Sequence, residues 1–209
     1  MNERGARCRR QFEESAEAHR AAADVLPTLV AEAATLCESA LRDGRTVLVC
    51  GNGGSAAESQ HFAAELTGRF RRERRGWAAV ALTTDGSALT AIGNDYGFTQ
   101  VFSRQVEALG RPGDVLIAIS TSGTSANIVE AARQARAGGL SVVALTGPDP
   151  AAVGALADVV VAAPGSSTAR VQEVHLTVLH AICEEIEAAL VADGVAVGWP
   201  EARSLKPEA

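Results

Sequence analysis

Residues 46–56 read Thr46-Val47-Leu48-Val49-Cys50-Gly51-Asn52-Gly53-Gly54-Ser55-Ala56. The first five are β-branched or apolar without polar alternation, the pattern of a strand covered on both faces. Three glycines in the next four positions end that strand, and Ala56 opens a helical run that reaches Leu66. A buried strand passing through a glycine-rich turn into a helix is the repeating unit of a parallel α/β sheet. Further short apolar runs lie at Ala78–Leu82, Val115–Ile119, Ser141–Leu145 and Val159–Ala162. Helical stretches stand beside them at Phe98–Leu109, Ser125–Ala137, Ala151–Leu156 and Thr168–Val191. The pattern predicts a three-layer α/β/α sandwich around a five-stranded, mostly parallel sheet.

Upstream, residues 11–42 are rich in alanine, glutamate and leucine and read as helix. Pro27 interrupts the run, which predicts two helices joined near Val25–Pro27. Leu26, Leu29, Val30 and Ala33 give the second helix an apolar stripe. This extension lies outside the strand–helix repeat, so residues 1–44 are expected to serve as an oligomer contact. Residues 45–193 form the α/β domain, and 194–209 read as a loose tail.

Composition narrows the function classes. With 19 basic and 25 acidic residues the net charge is −6, which argues against a diffuse nucleic-acid coat. The chain is 47% hydrophobic but only 4% aromatic. No run approaches the 18–20 apolar residues, roughly, that span a bilayer, so no membrane partner is expected. Four scattered cysteines without a CxxC pair exclude a disulfide scaffold. Together with the absence of an apolar signal core near Met1, they predict a protein of the reducing cytoplasm.

Two loops sit where open parallel sheets bind ligands, beyond the carboxyl ends of strands. In the first, Gly51, Gly53 and Ala56 match the relaxed dinucleotide fingerprint. The acidic residue that fingerprint needs about 20 positions on is missing, because Asp85 falls 29–34 residues later. No lysine follows the glycines, so it is not a Walker loop. A structural turn competes with a ligand-binding loop here. The second loop reads Ser120-Thr121-Ser122-Gly123-Thr124-Ser125. Five hydroxyls at a strand-to-helix junction form a cradle for a phosphate or sugar phosphate, since a helix N-terminus offers unpaired N–H groups and a positive dipole end. Capping accounts for Thr124 or Ser125 alone.

His61 and Glu65 are four apart and share a helix face. Gln172 and His180 are eight apart and lie close to one face of the last helix. The four could complete a zinc site, although an ordinary polar helix face explains the first pair equally. His175 is a rival ligand, but five residues before His180 turn it away. The run Arg69-Phe70-Arg71-Arg72-Glu73-Arg74-Arg75 is the only dense positive stretch. It reads as a solvated loop, with an active-site entrance shared between subunits or a nucleic-acid contact stacking on Phe70 as the alternatives. Asp85, Asn94 and Asp95 stand in turn-like contexts, and Trp77 and Tyr96 read as packing residues.

These motifs together resemble one family. Gly51–Ala57 followed by Gln60–Leu66, then Gly93-Asn94-Asp95-Tyr96-Gly97-Phe98, the serine loop, and Ala169–His175 ending at His180 are similar to the phosphoheptose isomerases of the sugar isomerase (SIS) fold. The likeness spans nearly the whole chain. It implies an aldose–ketose isomerase that converts D-sedoheptulose 7-phosphate to D-glycero-D-manno-heptose 7-phosphate through an enediol. That reaction is the first step towards nucleotide-activated heptose. The resemblance implies zinc on His61, Glu65, Gln172 and His180, with Glu65 and His180 as acid–base groups. It places phosphate on Ser55, Ser120, Thr121, Ser122 and Ser125, and sugar on Asn52, Gly53, Gly54, Asn94 and Asp95, with Glu65 and Gln172 also touching substrate. It implies a homotetramer with helices at its centre. Two alternatives remain: a noncatalytic SIS-fold adaptor that binds the replication initiator protein, and an isomerase of a different sugar phosphate.

Overall fold

The computed structural model describes residues 2–192. Helices α1 (Glu3–Val25) and α2 (Pro27–Arg42) precede the sheet. Asn2 caps α1 by accepting from the Gly5 N–H at 2.9 Å, and Pro27 opens α2, where a missing N–H costs nothing. The strands are β1 (Val47–Gly51), β2 (Ala79–Ala81), β3 (Val115–Ser120), β4 (Ser141–Thr146) and β5 (Val159–Ala162). Between and after them lie α3 (Gly54–Thr67), α4 (Gly86–Tyr96), α5 (Ser103–Leu109), α6 (Ala126–Ala137), the short α7 (Ala151–Gly154) and α8 (Thr168–Ala192). All pairings are parallel and the strand order is β2-β1-β3-β4-β5.

Strand alternation divides the core in two. Val47, Val49, Val115, Ile117 and Ile119 point to the face covered by α1, α2, α3 and α8. Leu48, Cys50, Leu116 and Ala118 point to the other, against Val106, Ile128, Ala131 and Ala135. The predicted three layers and five strands are therefore present. The chain reverses strand order between β1 and β3, and the pairing Gly51↔Ile119 sets both loops side by side at the carboxyl edge.

Two segments depart from expectation. Residues 86–96 form a helix, α4, capped by the Asp85 carboxylate on the Ala88 N–H at 2.9 Å. None of its residues is fully buried and only Leu89 and Ile92 pack, half-buried, against the core, so its apolar face is too short to stand out in the sequence. The stretch expected as one helix over 98–109 is a 3₁₀ turn, Phe98–Gln100, followed by α5. Trp77 is buried as expected, whereas Tyr96 is exposed and lies beneath the Arg104 guanidinium. The tail expected at 194–209, like residue 193, lies outside the described residues. Among the described residues no helix is long and apolar enough to cross a membrane.

Candidate active site

A cavity of about 290 Å³ opens at the carboxyl edge of the sheet, lined by Asn52, Gly53, Gly54, Ser55, Ile119, Ser120, Thr121, Ser125, Thr168 and Gln172. Three helices begin on it: α3 at Gly54, α6 after Ser125 and α8 at Thr168. Their N-termini converge unpaired N–H groups and positive dipole ends on one space. None of the lining side chains carries a charge, so the cavity suits an anion bound by neutral donors. Thr168 was not anticipated from the sequence; its position opening the helix after β5 was the available signal.

The glycines are spatial requirements. At Gly51 a Cβ would come within 2.5 Å of the Ser55 carbonyl oxygen, and at Gly54 within 2.5 Å of the Gln172 amide nitrogen. Gly53 holds φ +57° to turn the chain into α3. Asn52 exchanges paired amide bonds with Asn127 at 2.8 and 2.9 Å, tying this loop to α6. In the serine loop, Ser125 occupies the helix cap position, yet its hydroxyl makes no capping bond. It instead accepts from Ser120 Oγ at 3.2 Å, leaving capping unable to explain even this hydroxyl. Ser122 accepts from the Thr124 hydroxyl at 3.1 Å and lies 3.5 Å from Ser120 Oγ, outside the cavity wall.

The second part of the site stands on α3 and α8. His61 Nε2 lies 2.8 Å from His180 Nε2 and 3.3 Å from Glu65 Oε1. One donor atom from each of His61, Glu65 and His180 falls within 4.8 Å of the others, a grouping able to hold a metal ion. The juxtaposition expected of Glu65 and His180 is thus present. Gln172, two turns before His180, lies against Gly54 on the cavity wall. Phe70 stacks on the His180 ring with centroids 5.6 Å apart. Asn94 and Asp95 sit exposed at the end of α4, where the Asn94 amide donates to Asp95 at 2.8 Å, and neither lines the cavity.

Beneath these groups lies a buried pair that the sequence did not single out as such. His175 is fully buried and its Nε2 faces the Thr146 carbonyl at 2.8 Å, so it does turn away from the face that bears His180. Its Nδ1 stands 4.0 Å from Glu58 on α3, and both facing atoms lack another partner. Burial pushes the Glu58 carboxyl up to about 7 and the His175 imidazole down to about 4. A neutral acid beside a neutral imidazole is the resulting arrangement at mildly acidic pH. Burial likewise pushes the Cys37 and Cys50 thiols up to about 12 and raises that of Cys183, which removes them as thiolate ligands.

The arginine-rich run is the largely solvated loop expected of it, with Arg74 as the exception. Arg69, Arg71, Arg72 and Arg75 are exposed, but the Arg74 side chain is 5% exposed and paired with Glu187, 2% exposed, at 2.9 Å. The missed signal was Glu187 itself, an acidic residue on an otherwise apolar face of the last helix.

The chain is similar to known proteins over most of its length. Residues 10–147 match the SIS domain family. A phosphoheptose isomerase of a Bradyrhizobium species is 57% identical over 74% of this chain and 78% of its own. One from Neisseria meningitidis is 53% identical over 86% of this chain and 93% of its own. The solved phosphoheptose isomerase of Neisseria gonorrhoeae is 49% identical, covers 88% of this chain and 98% of its own, and superposes with a TM-score of 0.84. The Francisella tularensis structure gives 39%, 90% and 100%, with a TM-score of 0.86. A neutral anion cavity, a helix-borne His–Glu–His cluster and a likeness spanning nearly the full length of these enzymes place the chain in the phosphoheptose isomerase family of SIS-domain isomerases.

Proposed function

We propose that the chain isomerises D-sedoheptulose 7-phosphate to D-glycero-D-manno-heptose 7-phosphate, the entry to nucleotide-activated heptose. One observation carries the reading: Glu65 and His180, from different helices, meet in a cluster whose donor atoms lie within 4.8 Å of one another. Gln172, two turns along the helix that bears His180, also lines the neutral anion cavity. The phosphate occupies that cavity, against Ser55, Ser120, Thr121 and Ser125, with Ser122 behind them. The sugar runs past Asn52, Gly53, Gly54 and Gln172 towards the cluster, with Asn94 and Asp95 as further sugar contacts. Binding at the nonreacting end orients C1 and C2 and removes part of the entropic barrier.

Glu65 takes a proton from C1 of the ketose, leaving an enediolate across C1 and C2. His180 gives a proton to O2 and takes one from O1, so that O1 becomes the carbonyl oxygen. Glu65 then returns its proton to C2, and the aldose forms with atoms and charge balanced.

The donor set fits zinc. Ligand atoms about 2.0–2.2 Å from one zinc ion at tetrahedral angles stand about 3.4 Å apart, comparable to the 2.8 and 3.3 Å separations here. His61, Glu65 and His180 would hold the ion, with Gln172 as a fourth ligand. Zinc supplies Lewis-acid polarisation of a carbonyl when bound. A carboxylate held by a cation is a weaker base.

The same reading makes the protein a homotetramer working in the cytoplasm. An apolar groove of about 340 Å³ between α1, α2 and α8, lined by residues such as Leu26, Val30, Val174 and Val178, supports the first. Four unpaired cysteines support the second. Purified protein incubated with sedoheptulose 7-phosphate, before chelation, after it and with zinc restored, tests the whole reading. Aldose formation lost on chelation and regained with zinc is expected. No aldose under any condition overturns it, and undiminished turnover without metal removes zinc from catalysis.

A further inference from the structure

Residues 68–76, between α3 and β2, touch the backbone of Glu65 and the ring of His180. The last carbonyls of any helix lack partners within it, and α3 has no basic residue in its last turn. Arg74 fills that role from outside. Its Nη2 donates to the Glu65 carbonyl at 2.8 Å and its Nη1 to the Leu66 carbonyl at 3.0 Å. The guanidinium lies 3.6 Å from the centre of the Trp77 ring, and its Nε donates to Glu187 Oε1 on α8 at 2.9 Å.

Glu187 then organises the loop. Besides Arg74, its carboxylate accepts from the backbone N–H groups of Phe70, Arg71 and Arg72 at 3.0, 3.0 and 2.9 Å. These bonds hold the carboxyl below its ordinary range despite burial. They also fix the backbone of Phe70, whose ring stacks on His180. One guanidinium–carboxylate pair therefore grips the turn that carries Glu65 and, through Phe70, braces the ring of His180.

A buried ion pair contributes little net stability compared with apolar residues of the same volume. Helix α3 is already bound to α8 by apolar packing among Phe62, Leu66, Leu179 and Ile182. Adhesion alone does not call for a charged pair whose guanidinium also donates to the carbonyls of Glu65, Leu66, Gly68 and Arg75. Such a fork is suited to fixing a relative position.

We propose that Arg74 and Glu187 are positioning residues for the isomerisation, setting the placement of Glu65 against His180 through the end of α3 and through Phe70. The inference rests on the isomerase reading and deepens it. A displacement of about 1 Å at a reacting group costs about 10²-fold in rate, while the anion cavity stands at the opposite end of α3 and keeps its own supports.

Arg74→Lys keeps the charge but cannot reach Glu187 and two helix carbonyls together. Its kcat for sedoheptulose 7-phosphate is expected to fall about 10- to 100-fold with KM within about twofold of wild type. Phe70→Leu, a milder change in a partly exposed side chain, should lower kcat about fivefold with KM unchanged. Arg74→Ala, where folded, should regain turnover on addition of millimolar guanidinium ion. Circular dichroism and thermal unfolding establish that the variants compared are folded. Folded Arg74→Lys and Phe70→Leu proteins with wild-type kcat overturn the positioning role of Arg74 and Glu187, as does a loss that only tracks the unfolded fraction. Absence of turnover in the wild type overturns the isomerase reading instead, so the two failures are distinguishable.

Discussion

The anion cavity and the His–Glu–His cluster share helix α3, yet they hold their groups by different means. The cavity lies where β1 and β3 end in register, and its groups are backbone N–H donors, hydroxyls and helix N-termini. Its wall carries no charged side chain, so it needs no partner to neutralise it. The cluster lies farther along α3, on side chains from two helices, and its geometry depends on how α3 and α8 pack. Sheet register positions one end; helix packing, with the Arg74–Glu187 pair, positions the other. Changes at the cavity should therefore act on capture and orientation of substrate, and changes at the cluster on the chemical step.

The largest expected effect breaks the chemical end alone. Glu65→Gln and His180→Gln should each lower kcat by about 10³-fold or more, within the range for removing a general acid or base. Affinity for inorganic phosphate, measured by calorimetry, should stay at the wild-type value. A variant retaining full turnover would require a different base.

A smaller effect is expected where the two ends touch. Gly54→Ala drives a methyl group into the Gln172 amide, which stands 2.5 Å from the position of the added carbon. Both phosphate affinity and kcat should fall, with kcat/KM down about 10- to 100-fold, since the displaced Gln172 lies on the cavity wall and on the helix of His180. An effect confined to KM would show that the ends are independent.

At the cavity, Ser125→Ala and Ser122→Ala each remove one hydroxyl. A hydrogen bond to a charged group contributes about 1.5–3 kcal/mol, so kcat/KM should fall about 10- to 150-fold for Ser125, and less for Ser122, which stands outside the cavity wall. Sedoheptulose without its phosphate should show no difference between wild type and variant. An unchanged kcat/KM towards the phosphorylated sugar would count against the cradle.

The smallest effect concerns the buried pair beneath both ends. The folded chain keeps a proton on Glu58 between its ordinary 4.5 and about 7, so that group removes stability as pH rises through this window. His175 acts oppositely between about 4 and its ordinary 6.5, because the folded imidazole sheds a proton that the unfolded chain retains. Glu58→Gln keeps the neutral form and deletes the falling contribution. Chemical unfolding should find it more stable than wild type above pH 7, by on the order of 1–2 kcal/mol. Its stability should rise from pH 4 to 6.5 more steeply than that of the wild type. Identical pH profiles would contradict the burial of a charge at Glu58.

The same division explains what the sequence made legible. The strands and both loops stood out because buried parallel strands are short apolar runs and tight turns need glycine at fixed places. Glu65, His61 and His180 could be found as helix-face pairs, but only family resemblance joined the two faces. Helix α4 was hidden because only Leu89 and Ile92 pack on the core, too few to set a clear period. Arg74 was hidden among exposed arginines, since its role is created by Glu187, 113 residues away in sequence. Pairings between distant elements, like that of Glu58 with His175, leave no local pattern.

The most direct measurement uses the ketose dideuterated at C1, following loss of one deuterium from C1, to C2 or to water, and aldose formation by wild type and Glu65→Gln at equal phosphate affinity. The wild type should form aldose and lose one C1 deuterium, part of it reappearing at C2, and the variant should do neither at a detectable fraction of that rate. Wild-type rates of C1 deuterium loss and conversion by folded Glu65→Gln would contradict the assignment of Glu65 as the base and, with it, the meeting of α3 and α8 as the catalytic centre.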